Sequence, residues 1–481
     1  METIITVLFI ALSLGILFIA DKAKNPVATV HIAFLIVFMG LLHLAGLLEG
    51  YEKTYDIAYY LLAWITILLY LGIFTWGLIW LRAMKIIPQN DRFFGSAIHV
   101  GDGWLIAAFF GWLLIKAFLV MKYGVSAFSL FKGLARESAV LHYTIWWEMP
   151  SEMYLRAFAV GASVVYVVKA SWMQGYWRTH WIVSASFLLF MSIYIGTHSS
   201  IVGPRRLMIL LVFIGLVTMA HRKGVTLHRF VFMRWHTIIV SAVILLGLAV
   251  YYQSIRNNFF QPDIAEKLLS GNPFTFAEGV AQGLVPTSNA NDHQAKLLRT
   301  GPFKVIYQVI EQRGDENRTT AGAVTTNAFR MVIPRIIYNG NKEDLNVNDF
   351  FENEMDITAQ WPYIVSDIAA SLPAIFIADF GFIGALIAPV VMLLWLAGFS
   401  HIPRKSLLAH PLMVLFFFST LFNLAATVEG TFIPVLVSFR DAIILAVILL
   451  PLSLLRNGLL MKRRRYRIRK IMPAEKLKPQ S

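Results

Sequence analysis

The chain has 481 residues, of which 57% are hydrophobic, 14% aromatic and only 15% charged, and its mean hydropathy is +0.64. Those figures exclude an ordinary soluble domain and require most of the chain to lie in lipid. The absence of cysteine excludes disulfides, zinc thiolates, iron–sulfur clusters and thiol nucleophiles, and the formal charge of +14 sits in short loops and in a tail from Arg456 to Lys478, a topology signal rather than a nucleic-acid footprint.

Residues 3–20 form the first apolar run, preceded by Glu2 and by no lysine or arginine. A cleavable signal peptide would begin basic, so the run predicts a retained helix with its N-terminus outside. Further runs at 27–48, 57–82, 104–124, 151–169, 181–199, 204–221, 235–253, 370–398, 409–428 and 432–455 predict an all-α polytopic membrane protein of about 11 transmembrane helices. Lys116 and Arg156 stand near span ends, where snorkelling accounts for them.

The loops divide by charge. One set holds Lys22 and Lys24, then Arg82, Lys85 and Arg92, then Lys169 and Arg178, then Arg222, Lys223, Arg229 and Arg234, and finally Arg404 and Lys405. The opposite set holds Glu49, Glu52, Asp56 and Glu429. The positive-inside rule makes the first set cytoplasmic together with the C-terminus. The chain then reads as eight helices over 1–252, a large outer loop over 253–367, three helices over 368–455 and a basic cytoplasmic tail over 456–481. A shorter outer segment, Val125 to Pro150, carries Trp146 and Trp147 and predicts an amphipathic helix in the interface.

No phosphate-binding glycine–lysine loop, dinucleotide fingerprint or HExxH helix occurs. No cofactor or metal is therefore expected, and any reaction would run on a substrate already activated. The residues able to serve it cluster around the large loop. Gly203-Pro204-Arg205-Arg206 opens a span at its outer mouth, where the helix dipole and free amides favour an anion; a phosphate or diphosphate and simple anchoring at headgroups both account for the pair. Asn327 to Arg335 is apolar apart from Arg330 and Arg335, which predicts a segment folded back onto the membrane helices with its cations at a cleft. Arg440-Asp441 lies roughly 12 Å below the outer end of the last span, at about 1.5 Å per helical residue, a depth at which ionisable groups face a cavity or each other. An interfacial helix from about Val365 to Ala378 is expected to lead into a membrane helix near Asp379, with Gly381 and Gly384 permitting close backbone packing. For proton transfer the outer candidates are His198, Asp292, His293, Glu311, Asp315, Glu316, Glu354, Asp367 and Asp379, and spacing selects none of them.

Three of these elements, in this order, carry a resemblance to the Wzy-type oligosaccharide repeat-unit polymerases of O-antigen and exopolysaccharide assembly, related in architecture to the O-antigen ligases. They are Gly203 to Arg206 before the large loop, Val332-Ile333-Pro334-Arg335 followed by Asn341-Lys342, and Asp379 to Gly384. The resemblance covers about residues 190 to 400. It departs from the family pattern at Glu343, where a proline is common, and at Pro204-Arg205, where small residues are common. It implies a metal-independent glycosyl transfer at the outer face of a bacterial cytoplasmic membrane, passing a glycan from undecaprenyl diphosphate to another lipid-linked unit. Arg205, Arg206, Arg330, Arg335 and Arg440 would hold the diphosphate, His293 or Asp379 would act as base, and a chain-length regulator has a place as partner. A ligase using a different acceptor, or a flippase for lipid-linked oligosaccharide, remains the alternative.

Overall fold

The structure is a computed structural model, which describes residues 1–22, 25–48, 55–86, 95–122, 148–197, 203–236, 273–283, 302–333, 371–401, 410–426 and 435–449, with isolated positions at 267, 351, 354, 355 and 451. Among these residues there is no strand. The helices are α1 (Glu2–Lys22), α2 (Pro26–Leu35), α3 (Leu42–Leu48), α4 (Ile57–Ala83), α5 (Asp102–Lys122), α6 (Glu148–Trp172), α7 (Tyr176–Thr179), α8 (Trp181–Thr197), α9 (Gly203–Arg222) and α10 (Leu227–Met233). They continue as α11 (Pro273–Gly283), α12 (Pro302–Asp315), α13 (Ala323–Val332), α14 (Leu372–Phe380), α15 (Phe382–His401) and α16 (Pro411–Ala426), and end with α17 at 435–449. A π-helical turn, Ile36–Leu41, joins α2 to α3.

Four helices, α1, α4, α5 and α6, are long and apolar enough to cross a membrane, and the bent pair α9 and α10 makes five. Shorter apolar helices occupy Pro26–Leu41, Trp181–Tyr194, Phe382–Gly398 and Pro411–Leu421. The expected span at 27–48 appears as one continuous helical run, α2, the π-helical turn and α3, and those at 181–199 and 409–428 are helical over their described residues, Trp181–Thr197 and Pro411–Ala426. The expected span at 235–253 and the expected helix at Val125 to Pro150 lie almost wholly outside the described residues.

The bundle wears its apolar side chains outward. Trp76, Leu114, Leu188 and Leu394 are 69, 68, 63 and 66% exposed, an arrangement that is stable only against lipid. Polar side chains point inward and satisfy themselves: Ser163 donates to the Ala159 carbonyl (3.0 Å) and Thr218 to the Ile214 carbonyl (2.7 Å). Capping residues set several starts. The Asn25 side chain accepts from the amides of Val27 and Ala28 (both 3.1 Å) to begin α2, and Asp56 accepts from Ala58 (2.8 Å) and Tyr59 (3.2 Å) to begin α4.

Charged side chains tie the helices together at both ends of the bundle. Arg82 Nη1 donates to the Lys22 carbonyl (2.8 Å), Asp21 Oδ2 accepts from the Leu227 amide (2.6 Å), Lys169 pairs with Asp102 (2.7 Å) and Arg222 reaches the Ser171 carbonyl (3.5 Å). These contacts gather the cationic ends of α1, α4, α6 and α9. At the other end Glu2 accepts from the Tyr55 amide (3.0 Å) and the start of α4 meets α12. Lys116 does not snorkel: it stands 3.7 Å from buried Glu152, tying α5 to α6.

Candidate functional site

The least expected element is α12. Every residue from Phe303 to Ile310 is buried, including Lys304 and Gln308. The Phe303 ring lies 4.2 Å from the His43 ring and 4.4 Å from that of Trp64, while Tyr307 meets Tyr55 edge-on at 4.7 Å. Burial of Phe303, Val305, Ile306, Val309 and Ile310, each contributing roughly 1.5–3 kcal/mol when removed from water, holds this part of the large loop on the membrane helices. The C-terminal half of α12 is pinned by hydrogen bonds: Tyr307 Oη accepts from the Asp56 amide (3.0 Å) and donates to Glu311 (2.8 Å), and Tyr59 Oη donates to Asp315 (2.6 Å). Burial and the bond to Glu311 push the Tyr307 pKa up, so its hydroxyl remains a donor.

From α12 the chain turns through 316–322 into α13, and this turn clasps the end of α14. The Ala378 carbonyl accepts from Arg313 Nη1 (2.8 Å), Thr319 Oγ1 (3.2 Å) and the Thr320 amide (3.2 Å). In return, buried Asp379 sends its carboxylate to the start of α13. Its oxygens accept from Thr320 Oγ1 (2.5 Å), the Val324 amide (3.3 Å), the Thr325 amide (2.8 Å) and Thr325 Oγ1 (2.5 Å). Four donors occupy about all the acceptor positions of a carboxylate, and the negative charge sits where the helix dipole favours it. This geometry assigns Asp379 to holding α13 rather than to taking a proton from an acceptor hydroxyl.

The far end of α13 is held by the opposite charge. Arg440, from α17, reaches the Val332 carbonyl with Nη1 (3.4 Å) while its Nε and Nη2 bind Asp441 Oδ1 (both 2.8 Å). The helix α13 is therefore held between α14 and α17, by an acid at its N-terminus and a base at its C-terminus. Arg330 lies in its last turn, exposed, with no pairing side chain among the described residues. Exposed Phe329 and Ile333 flank it.

The helix break at 381 makes the clasp possible. Gly381 has φ +67° and ψ −152°, a conformation open to glycine alone, and a Cβ there would stand 3.0 Å from Arg313 Nη2. Three residues on, a Cβ at Gly384 would fall 1.9 Å from the Phe376 carbonyl oxygen, so α14 and α15 form a hairpin closed by glycine. The expected interfacial helix is corrected here. The described part, α14, is buried all round from Leu372 to Asp379 rather than laid on a surface, and the membrane helix begins at Phe382. Gly381→Ala is expected to cost about 1–3 kcal/mol through backbone strain, read as a fall in the thermal unfolding midpoint of the purified protein in detergent.

Of the residues singled out in the sequence, Asp379, Arg330 and Arg440 are brought to one helix. Arg205 and Arg206 lie in the first turn of α9, at the end of the bundle opposite Arg222, and their side chains lie outside the description. His293 and Arg335 lie outside the described residues, as do His198, Asp292 and Asp367. Sequence reasoning missed Arg313 and the Thr320 and Thr325 hydroxyls, whose partners are more than fifty residues away along the chain. No protein-family model, curated protein or solved structure matches the chain.

Proposed function

We propose that this chain is a membrane glycosyltransferase that polymerises undecaprenyl-diphosphate-linked oligosaccharide repeat units. On this reading it has about 11 transmembrane helices in the bacterial cytoplasmic membrane, with its N-terminus and the 253–367 loop in the periplasm and its tail in the cytoplasm. The gathering of Lys22, Arg82, Lys169 and Arg222 at one end of the bundle supports that orientation. The observation that carries the chemical part is α13: a helix clamped at both ends by buried or half-buried charges, presenting a guanidinium with no pairing side chain among the described residues.

Transfer of a glycan from a lipid diphosphate breaks the anomeric C–O bond and leaves a new charge on the diphosphate. Arginines fixed before the reaction stabilise that charge as it forms, and a planar fork grips two phosphate oxygens at once. Arg330 takes this role, with Arg335, Arg205 and Arg206 completing the set, and Arg440, bound to Asp441 and the Val332 carbonyl, positions α13. His293 is the proposed base for the acceptor hydroxyl, and Asp379 acts as a positioning residue.

The test is reconstitution of the purified protein in liposomes with undecaprenyl-diphosphate-linked oligosaccharide, reading product length. The native chain is expected to build a ladder, and Arg330→Ala to slow it about 100-fold, the usual loss for one transition-state charge donor, without lowering the unfolding midpoint. An Arg330→Ala variant as fast as the native chain, or a native chain that never extends the substrate, would overturn the reading.

A further inference from the structure

At the end of the bundle remote from α13, α9 stops at Arg222 and α10 leaves it at 93°. If α9 crosses the bilayer, α10 lies in the plane of its surface. Its docking is built rather than incidental. Asp21 of α1, buried, accepts from the Leu227 amide (2.6 Å) and stands 3.4 Å from His228 Nδ1, and the Phe18 and His228 rings approach to 4.8 Å. Leu227 and Phe230 turn inward, while Phe232, Met233 and Trp235 are 81, 58 and 48% exposed. Four exposed cations surround this apolar edge: Arg222, Lys223, Arg229 and Arg234. Arg222 makes only the long contact to the Ser171 carbonyl, Lys223 lies 5.6 Å from the Phe230 ring, and no side chain pairs with Arg229 or Arg234 among the described residues.

We infer that α10 and the Arg222–Lys223 turn form a docking surface for the phosphate headgroups of anionic lipids. An exposed aromatic edge inserts at the depth of the acyl boundary, and the arginines then meet the phosphate layer, where an anionic surface attracts each cation. A zwitterionic leaflet satisfies the apolar edge and leaves the cations with little net attraction. Because Asp21 ties α10 to α1, occupancy stabilises the joint between the first and ninth helices. The inference is independent of the catalytic reading.

The experiment uses the full chain in mild detergent with added phosphatidylglycerol or phosphatidylcholine. Phosphatidylglycerol is expected to raise the unfolding midpoint by several degrees and phosphatidylcholine to leave it nearly unchanged. R229Q/R234Q, which removes two exposed groups with no side-chain partner, is expected to keep the native midpoint without lipid and to lose the phosphatidylglycerol shift. R229K/R234K keeps part of the shift, since the charge remains and the fork is lost. Equal shifts with both lipids, a shift reproduced by inorganic phosphate, or a full shift in R229Q/R234Q would each overturn the proposal.

Discussion

Asp379→Ala should release α13 from the membrane helices and abolish activity. The substitution leaves the buried Val324 and Thr320 donors without an acceptor and removes a charge from a helix N-terminus. Hydrogen bonds to a charged acceptor are worth about 1.5–3 kcal/mol each and stranded buried donors cost about 1–3 kcal/mol, so a loss on the order of 3–5 kcal/mol is expected. Two measurements check it: the unfolding midpoint in detergent, and proteolysis between Asp315 and Ala323, which should accelerate as the turn loosens. Asp379→Asn keeps one acceptor and should fall between. An Asp379→Asn protein as stable as the native chain yet inactive would instead make Asp379 the proton acceptor.

The second large effect is expected at Gly161, where α6 crosses α16. A Cβ at this position would stand 1.9 Å from the Leu415 carbonyl oxygen and 2.6 Å from its carbon. Both are backbone atoms, so no rotamer change relieves the clash and the two helices must part. Small residues at such crossings let membrane helices approach closely, and overpacking of this kind sits at or above the upper end of the ~1–3 kcal/mol range. Gly161→Val should therefore give little folded protein by size-exclusion chromatography. Gly72→Ala is the control: no atom lies within 4 Å of its Cβ, and alanine favours the helix by about 1 kcal/mol.

The parts of this molecule that sequence could show were those governed by local rules. An apolar run announces a helix because lipid demands that every backbone group be satisfied within the segment, so α1, α4, α5, α6 and α9 were legible to within a few residues. The glycine pair at 381 and 384 was legible for the same reason, as a break and a close approach within one run. The expected fold-back of Asn327 to Arg335 is described only as far as Ile333, where Ala328 faces inward on α13 and the Val332 carbonyl meets Arg440.

What sequence hid was decided by distant partners. Lys304, Gln308 and Gln312 repeat every fourth residue and look like the solvated stripe of a surface helix, yet all three are buried. The aromatic wall that covers α12 comes from Tyr60 and Trp64 on α4 and His43 on α3. Likewise, Asp379 read as a candidate base because a lone carboxylate beside a large loop has no local signal of structural use. Its four donors lie on the far side of the loop, in the turn at Thr320 and the first turn of α13.

On the proposed function, α13 holds cations for a departing lipid diphosphate during glycan polymerisation. That reading is tested most directly in cells lacking this gene, complemented with the native chain or with Arg330→Ala at equal abundance, with envelope glycan resolved by gel and mass spectrometry. The account predicts single repeat units in the deletion, long polymer with the native chain, and single units again with the variant. Polymer of unchanged length in the deletion would contradict the assignment of polymerisation, and full rescue by Arg330→Ala would contradict the role given to α13.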